Sequence, residues 1–405
     1  MSVFKDILFI SSFVMIVVCS QAQARYNLIY EEQIGMNFAA ENLVSIYHAY
    51  DVFDSILVPK RIFAHQGIIN KVGNSFFRLN KLFWLNYLIN DYVHTMNHER
   101  FGHGYRVIDN GGKIINIVYN LPPPFGNEFS RIYWRRSTNH TLQQDILNTI
   151  GGSEVGLITS DIIRKNILLD ENLSYNLALP YLYGNNDLPG YTVFQSKGDP
   201  ESYVKKLNEF YPNANISINK LKRYSYIALF TDPLNFFAMK AAFYDYLIKG
   251  KHSSKVKMIQ LADGVKYLPR FRVEYTPYGP ELVLQNFLKL HEKLFQFNFS
   301  HSDGTFEPSW RALVNIWNIR SSHNLLFNFS GQLWKQPSID YFVDDSLTRS
   351  EGLGGQLLLG INYDFITNNH ILGVVLNVGY KTKGFSIGEQ IDQGLIIRGG
   401  LSFKL

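Results

Sequence analysis

From about Lys257 to the last residue, apolar and polar side chains alternate with a period of two, which commits this part of the chain to β-strands. Leu357, Leu359, Ile361, Tyr363 and Phe365 share one face, against Gln356, Leu358, Gly360, Asn362 and Asp364 on the other. Leu372, Val374, Leu376, Val378 and Tyr380 repeat the pattern, as do Phe295, Phe297 and Phe299, and Leu325, Phe327 and Phe329. Eight strands are expected, near 268–276, 280–288, 292–301, 309–319, 323–334, 355–365, 370–381 and 394–404. One face of each is bulky and apolar, the other small or polar.

Strands of about 9–11 residues with this alternation suit an outer-membrane β-barrel with its apolar face toward lipid. A soluble sandwich would alternate in the same way, because both bury every second residue in an apolar medium. The amino terminus selects the membrane expectation. Lys5, the apolar run from Ile7 to Val18 and the small-residue site Ala22-Gln-Ala24 read as an export signal over residues 1–24. The single cysteine, Cys19, would leave with that signal, so any metal must be held by nitrogen and oxygen. A net charge of +5, without a dominant Lys/Arg block, gives no support to nucleic-acid binding.

Residues 25–255 read as mainly helical. Ala39 to Phe53, Ser75 to Asn90 and Thr141 to Leu168 carry helical patterns, and Asp199-Pro200-Glu201 has the form of a helix start running to about Phe210. Ile227 to Ile248 reads as buried helices broken near Pro233, because its charges are costly in lipid. Asp109-Asn-Gly-Gly112 signals a hairpin between Tyr105–Ile108 and Lys113–Tyr119, a candidate edge for an extended substrate. The expected fold class is therefore α+β. It comprises an N-terminal mainly helical domain with a metal-site helix pair and, over 256–405, a C-terminal antiparallel β-barrel of about eight or more strands. An eight-stranded barrel is filled by its own side chains, so the helices would sit beside it unless further strands enlarged it.

The chemistry is concentrated in His94-Thr-Met-Asn-His98-Glu99-Arg-Phe-Gly-His103-Gly-Tyr105-Arg106. Three of only 11 histidines fall within ten residues. The zincin helix spaces its histidines four apart, as His-Glu-x-x-His, so that both reach one ion. Here the spacing is five, which turns His103 by about 140° from His98 on a regular helix and requires a bulge or a helix end near Gly102. The segment His98-Glu99-x-x-x-His103 resembles the longer motif of the dipeptidyl-peptidase III family, in which such a helix binds zinc; the resemblance covers six residues.

A zincin-like site needs a third ligand from a second helix. Glu154 is the candidate, in Gly151-Gly152-Ser-Glu154-Val-Gly156, because two consecutive glycines cost about 1 kcal/mol each inside a helix and point to close approach of a neighbour. The expected set is His98, His103 and Glu154 on Zn2+, with His94 as the alternative partner of His98. Glu99 is the expected general base, and Tyr105 or Arg106 would stabilise an oxyanion. The expected function is a zinc-dependent hydrolase, most simply a metallopeptidase of the bacterial cell envelope, using a metal-bound water. The alternatives are a non-enzymatic outer-membrane protein for transport, assembly or adhesion, in which the histidines are structural, and a metal-free lipid-modifying barrel enzyme.

Overall fold

The computed structural model describes residues 24–31, 35–57, 62–63, 67–126, 130–195, 197–302, 309–322, 324–343, 345–365 and 371–404. The expected export signal lies outside them apart from Ala24, whose amide donates to Asp170 Oδ1 at 2.6 Å.

The fold is α+β, with a large antiparallel sheet. All eight expected strands are present: β7 (Val265–Thr276), β8 (Gly279–Leu290), β9 (Lys293–Ser302), β10 (Ser309–Arg320), β11 (Leu325–Val343), β12 (Ser346–Phe365), β13 (Ile371–Lys381) and β14 (Gly394–Lys404). They follow one another as a meander. Two strands the alternation did not announce extend it at its ends. β1 (Tyr26–Glu31) pairs with β14, and β6 (Ile259–Ala262) pairs with β7. The ten-stranded sheet is therefore open, with β1 and β6 as its edges, and does not close as the expected barrel. The physical reason lies on its inner face, where the helices pack instead of beside it. β11 and β12 run for 19 and 20 residues, well beyond the length that the alternation marked.

The alternation survives as an inversion of the usual polarity. Gln285, Lys289, Gln296, Arg311, Gln332, Asn362 and Arg398 are buried toward the helices. Leu353, Leu357, Leu359, Tyr363, Phe365, Leu372, Val374, Leu376, Val378, Tyr380, Leu395, Ile397 and Leu401 point away and are each 40–79 % exposed. Among the described residues no helix is long and apolar enough to cross a membrane.

The helical part begins with α1 (Met36–Leu57), which packs on β1. A helix labelled α2 here (68–109) is continuous but irregular, with π-helical stretches at Leu82–Tyr87 and Asn97–His103. α3 (Leu142–Asp170) is the buried axis of the bundle. It starts with a capping box in which Thr141 and Gln144 satisfy each other's backbone amides, and it ends at Glu171 in the left-handed region. α4 (Tyr175–Gly190, prolonged by a π-turn over Tyr191–Gln195), α5 (Asp199–Phe210), α6 (Ile218–Thr231) and α7 (Pro233–Met239, continuing in a π-stretch over Lys240–Ile248) complete it. The break at Pro233 falls where the sequence put it.

One local expectation is corrected. Tyr105–Ile108 is not a strand but the last turn of α2, because Arg106 and Val107 are fully buried against α3. Asp109-Asn-Gly-Gly112 ends that helix, with Gly111 at φ 72°, so residues typical of a hairpin turn serve as a helix C-terminus. β2 (Lys113–Val118) then pairs across the proline loop with β3 (Arg131–Arg135), and the short strands β4 (Asn172–Ser174) and β5 (Ser253–Lys255) pair with each other.

Helices and sheet are joined by charges as well as by apolar contacts. Asp232, fully buried between α6 and α7, accepts from Tyr181 (2.7 Å), Asn185 (3.0 Å), Arg164 (3.3 Å) and the Leu234 amide (3.0 Å), and pairs with Arg270 of β7. Burial alone would raise its pKa, but the Arg270 and Arg164 charges outweigh that and hold it below the usual carboxylate range. Removing one member of such a network strands the others. Asp232→Ala is expected to lower stability by about 3–5 kcal/mol at neutral pH, read from denaturation midpoints. The carboxylate's contribution is complete above the unfolded pKa near 4 and is lost as pH falls through the depressed folded value, so the gap to wild type should close in acid.

Candidate metal centre

Three helices bring histidines and carboxylates together around the glycine-rich face of α3. A Cβ at Gly102 would lie 2.5 Å from Gly151 O, and one at Gly151 would lie 2.6 Å from Gly102 O, so α2 and α3 meet backbone to backbone. A Cβ at Gly152 would fall on the His98 imidazole. Farther along, Gly156 meets Gly184 of α4 in a second close crossing, and a Cβ at Gly156 would touch Asp187 Oδ2 at 3.1 Å. The two consecutive glycines thus do mark close approach of a neighbouring helix.

The five-residue spacing is resolved by the π-stretch Asn97–His103. Its hydrogen bonds run i to i+5, which returns the fifth residue to the same face. His98 Nε2 and His103 Nε2 are 3.1 Å apart. The third atom at this point is Asp199 Oδ2, from the first residue of α5, at 3.4 Å from His98 Nε2 and 3.2 Å from His103 Nε2.

The other nitrogen of each ring is already engaged. His103 Nδ1 donates to Asn148 O at 2.6 Å, and since a carbonyl only accepts, this bond assigns the proton to Nδ1. His98 Nδ1 lies 3.1 Å from Asp187 Oδ2, a carboxylate that also meets His94 Nε2 at 3.3 Å. Both Nε2 atoms are thereby turned toward Asp199. This is the outer arrangement typical of metal-binding histidines, whose second nitrogen is fixed by a carboxylate or carbonyl.

The electrostatics follow from the same contacts. Burial pushes the pKa of His98 down, but the Asp187 and Asp199 carboxylates outweigh it and leave it well above the ordinary imidazole value. His103 is raised in the same way, chiefly by Asp199. Burial raises Asp187 and Asp199, and the facing histidines more than reverse this, leaving both far below the usual carboxylate range. In chemical terms, the pocket concentrates negative charge around two imidazoles.

A His/His/Asp group of this kind could hold a metal ion. The alternative set His94, His98 and Asp187 also lies within reach of one ion, through His98 Nδ1. The first set has the more telling shape. Ligand atoms about 2.0–2.1 Å from a tetrahedral ion stand about 3.3 Å apart, close to the three observed edges.

Glu154 is not brought to the histidines. Its carboxylate accepts from Arg106 Nε (2.9 Å) and from the Gly388 amide (2.6 Å), and pairs with a second Arg106 nitrogen. Arg106, fully buried, also donates to Asp109 Oδ2 (3.1 Å) and Glu389 O (2.8 Å), while its guanidinium lies over the Tyr105 ring. Tyr105, Arg106 and Glu154 thus form a separate cluster that ties α2 and α3 to the β13–β14 connection. Glu99, next to His98, is buried but close enough to His103, Tyr119 and Tyr191 to bear on their ionisation.

Sequence reasoning missed Asp187, Asp199 and Tyr191. In sequence Asp199 reads only as part of a helix start, and Asp187 sits in Gly184-Asn-Asn-Asp187-Leu-Pro189, where two prolines inside α4 disguise the helix. Tyr191 places its hydroxyl where a Gly198 side chain would begin, beside Asp199, and burial pushes its pKa up to about 12. Gly198, at φ 83°, provides both the room and the turn. Comparison of the chain with protein-family models, curated proteins and solved structures finds no match.

Gly152→Ala should displace His98 and weaken metal binding at least about tenfold in a chelator-competition titration, equivalent to about 1.4 kcal/mol. Gly190→Ala, whose Cβ would have its nearest contact at 3.9 Å, should leave the affinity unchanged.

Proposed function

We propose that this chain is a zinc-dependent hydrolase, acting on peptides at the bacterial outer membrane. The observation that carries the metal-dependent reading is the triangle of His98 Nε2, His103 Nε2 and Asp199 Oδ2, with both imidazoles fixed from behind by Asp187 and Asn148. Zinc suits an all-nitrogen-and-oxygen set with tetrahedral edges, and three protein ligands leave a fourth position for water or substrate. When bound, the ion would polarise a water or a carbonyl group.

The chain's own residues divide the remaining work. Glu99 stands beside the ligand His98 and is the group to accept a proton from the attacking water and return it to the leaving amine. Asp187 holds His98 in the tautomer that presents Nε2, and the Asn148 carbonyl does the same for His103. Tyr191, beside Asp199, replaces Tyr105 and Arg106 as the donor for a developing oxyanion. The Asp199 side chain is 34 % exposed while those of His98 and His103 are 13 % and 10 %, so access to the triangle is from the Asp199 side.

A peptide substrate is supported by the β2–β3 ribbon. Ile114 and Ile132 of its two strands pack on Gly104, one residue beyond the π-stretch, and an extended chain can add to a ribbon edge through backbone hydrogen bonds. The membrane setting is supported by the outward sheet face. Monomeric soluble proteins rarely expose so large a contiguous apolar patch, whereas lipid-facing strands require one.

Purified full-length protein reconstituted with zinc should hold about one ion per chain by elemental analysis, the stoichiometry of a single three-ligand site. His103→Ala and Asp199→Ala should lose most of it, while Glu99→Gln should keep it and lower kcat on a peptide library by about 10²–10⁴. Full metal content in Asp199→Ala would reject the triangle.

Leu376→Arg, at the middle of β13 and facing outward, separates a lipid-facing sheet from a solvated one. It should destabilise the protein in lipid by about 2–4 kcal/mol. On a solvated face, the same change should stay within about 0.5 kcal/mol.

A further inference from the structure

A cavity of about 260 Å³ lies between α1, α3 and the inward face of the sheet, separate from the histidine cluster. Four amide side chains from the sheet line it: Gln296, Asn298, Asn315 and Gln332. Gln296 donates to Asn298 Oδ1 at 2.9 Å and accepts from Asn315 at 3.1 Å, so these three form a fixed chain along the wall. Gln332 is fixed as well, its Oε1 accepting from Ser386 Oγ at 3.2 Å.

The charges around the cavity cancel. Arg272 pairs with Asp161 and Glu274, Arg311 pairs with Glu274 and with Glu281 at 2.7 Å, and Lys165 lies 3.9 Å from Glu41. Each cation already has its carboxylate, so neither an anion nor a cation would gain an unmatched partner. An amide offers a donor and an acceptor on one planar group, which complements hydroxyls that also do both. Trp317, with Leu313 and Ile158, supplies an apolar wall with a flat aromatic member. The volume is below the range that holds drug-sized ligands. We infer that this cavity between α1, α3 and strands β7–β12 binds one neutral sugar ring, its hydroxyls on the amide wall and its C–H face against Trp317.

The ring can come from a free monosaccharide or from the end of a glycan, and the two are separated by the probes. Free hexoses and hexosamines (as N-acetyl derivatives), their methyl α- and β-glycosides, and neutral trisaccharides ending in the same sugars would be titrated calorimetrically into full-length protein. Binding with a Kd from micromolar to on the order of 1 mM is expected for at least one sugar. Preference for the glycoside or trisaccharide over the free sugar would identify a glycan end, and the reverse a free monosaccharide. Gln332→Leu and Asn298→Leu should each weaken binding at least tenfold, with zinc content unchanged. The inference is overturned if no sugar binds at concentrations on the order of 10 mM, or if neither substitution alters the affinity of one that does. Zinc content, read in the same samples, keeps this outcome independent of the metal centre.

Discussion

The contact on which the candidate site depends is the backbone-to-backbone crossing of α2 and α3 at Gly102, Gly151 and Gly152. It positions both candidate histidines. The His98 ring occupies the space that a side chain at residue 152 would fill, and His103 reaches the Asn148 carbonyl one turn before the crossing. The second crossing, Gly156 against Gly184, sets the depth at which α4 delivers Asp187. Two helix pairs without intervening side chains thus fix His98, His103 and Asp187 within a few ångströms. Larger residues at these positions would separate the helices and leave each group in a different environment.

The sheet solves a different problem with the same chain. Its inner face must receive helices that carry Asp161, Glu171 and Asp232, and does so with Arg272, Lys289 and Arg270. Buried charges of this kind contribute little net stability when paired but penalise any other arrangement, because a slip of one residue would turn them outward and bring the leucines and valines in. The polarity of the sheet therefore specifies how the helices dock. An apolar inner face would bind them without selecting a register.

How much of this could be read in the sequence depends on the range of the interaction involved. The eight long strands were legible because alternation is local and repeated, whereas β1 was not, because its partner is β14 near the opposite end of the chain. Tyr105–Ile108 was misread because Asp109-Asn-Gly-Gly112 suits a hairpin turn and a helix terminus equally, and only the burial of Arg106 and Val107 decides between them. His98 and His103 were legible as a pair with one residue too many. The π-stretch that accommodates the extra residue was not, since no residue type specifies it. The carboxylate that meets them was the least legible part. Spacing pointed to Glu154, which Arg106 engages, whereas the carboxylate that meets the histidines is Asp199, at the start of α5.

The π-stretch also links two clusters that do not touch. On a regular helix one added residue would advance everything beyond it by about 100° around the axis. A turn closed by i to i+5 bonds absorbs that residue instead, so His103 returns to the face of His98, and Arg106, three residues on, keeps its direction toward Glu154. Deleting one residue inside the stretch would restore an ordinary α-turn and leave both pairs in place. Adding one between His103 and Arg106 would keep the imidazole pair but swing the guanidinium away and leave a buried carboxylate without its cation. The irregular turn is therefore a spacer that lengthens α2 without changing its phase.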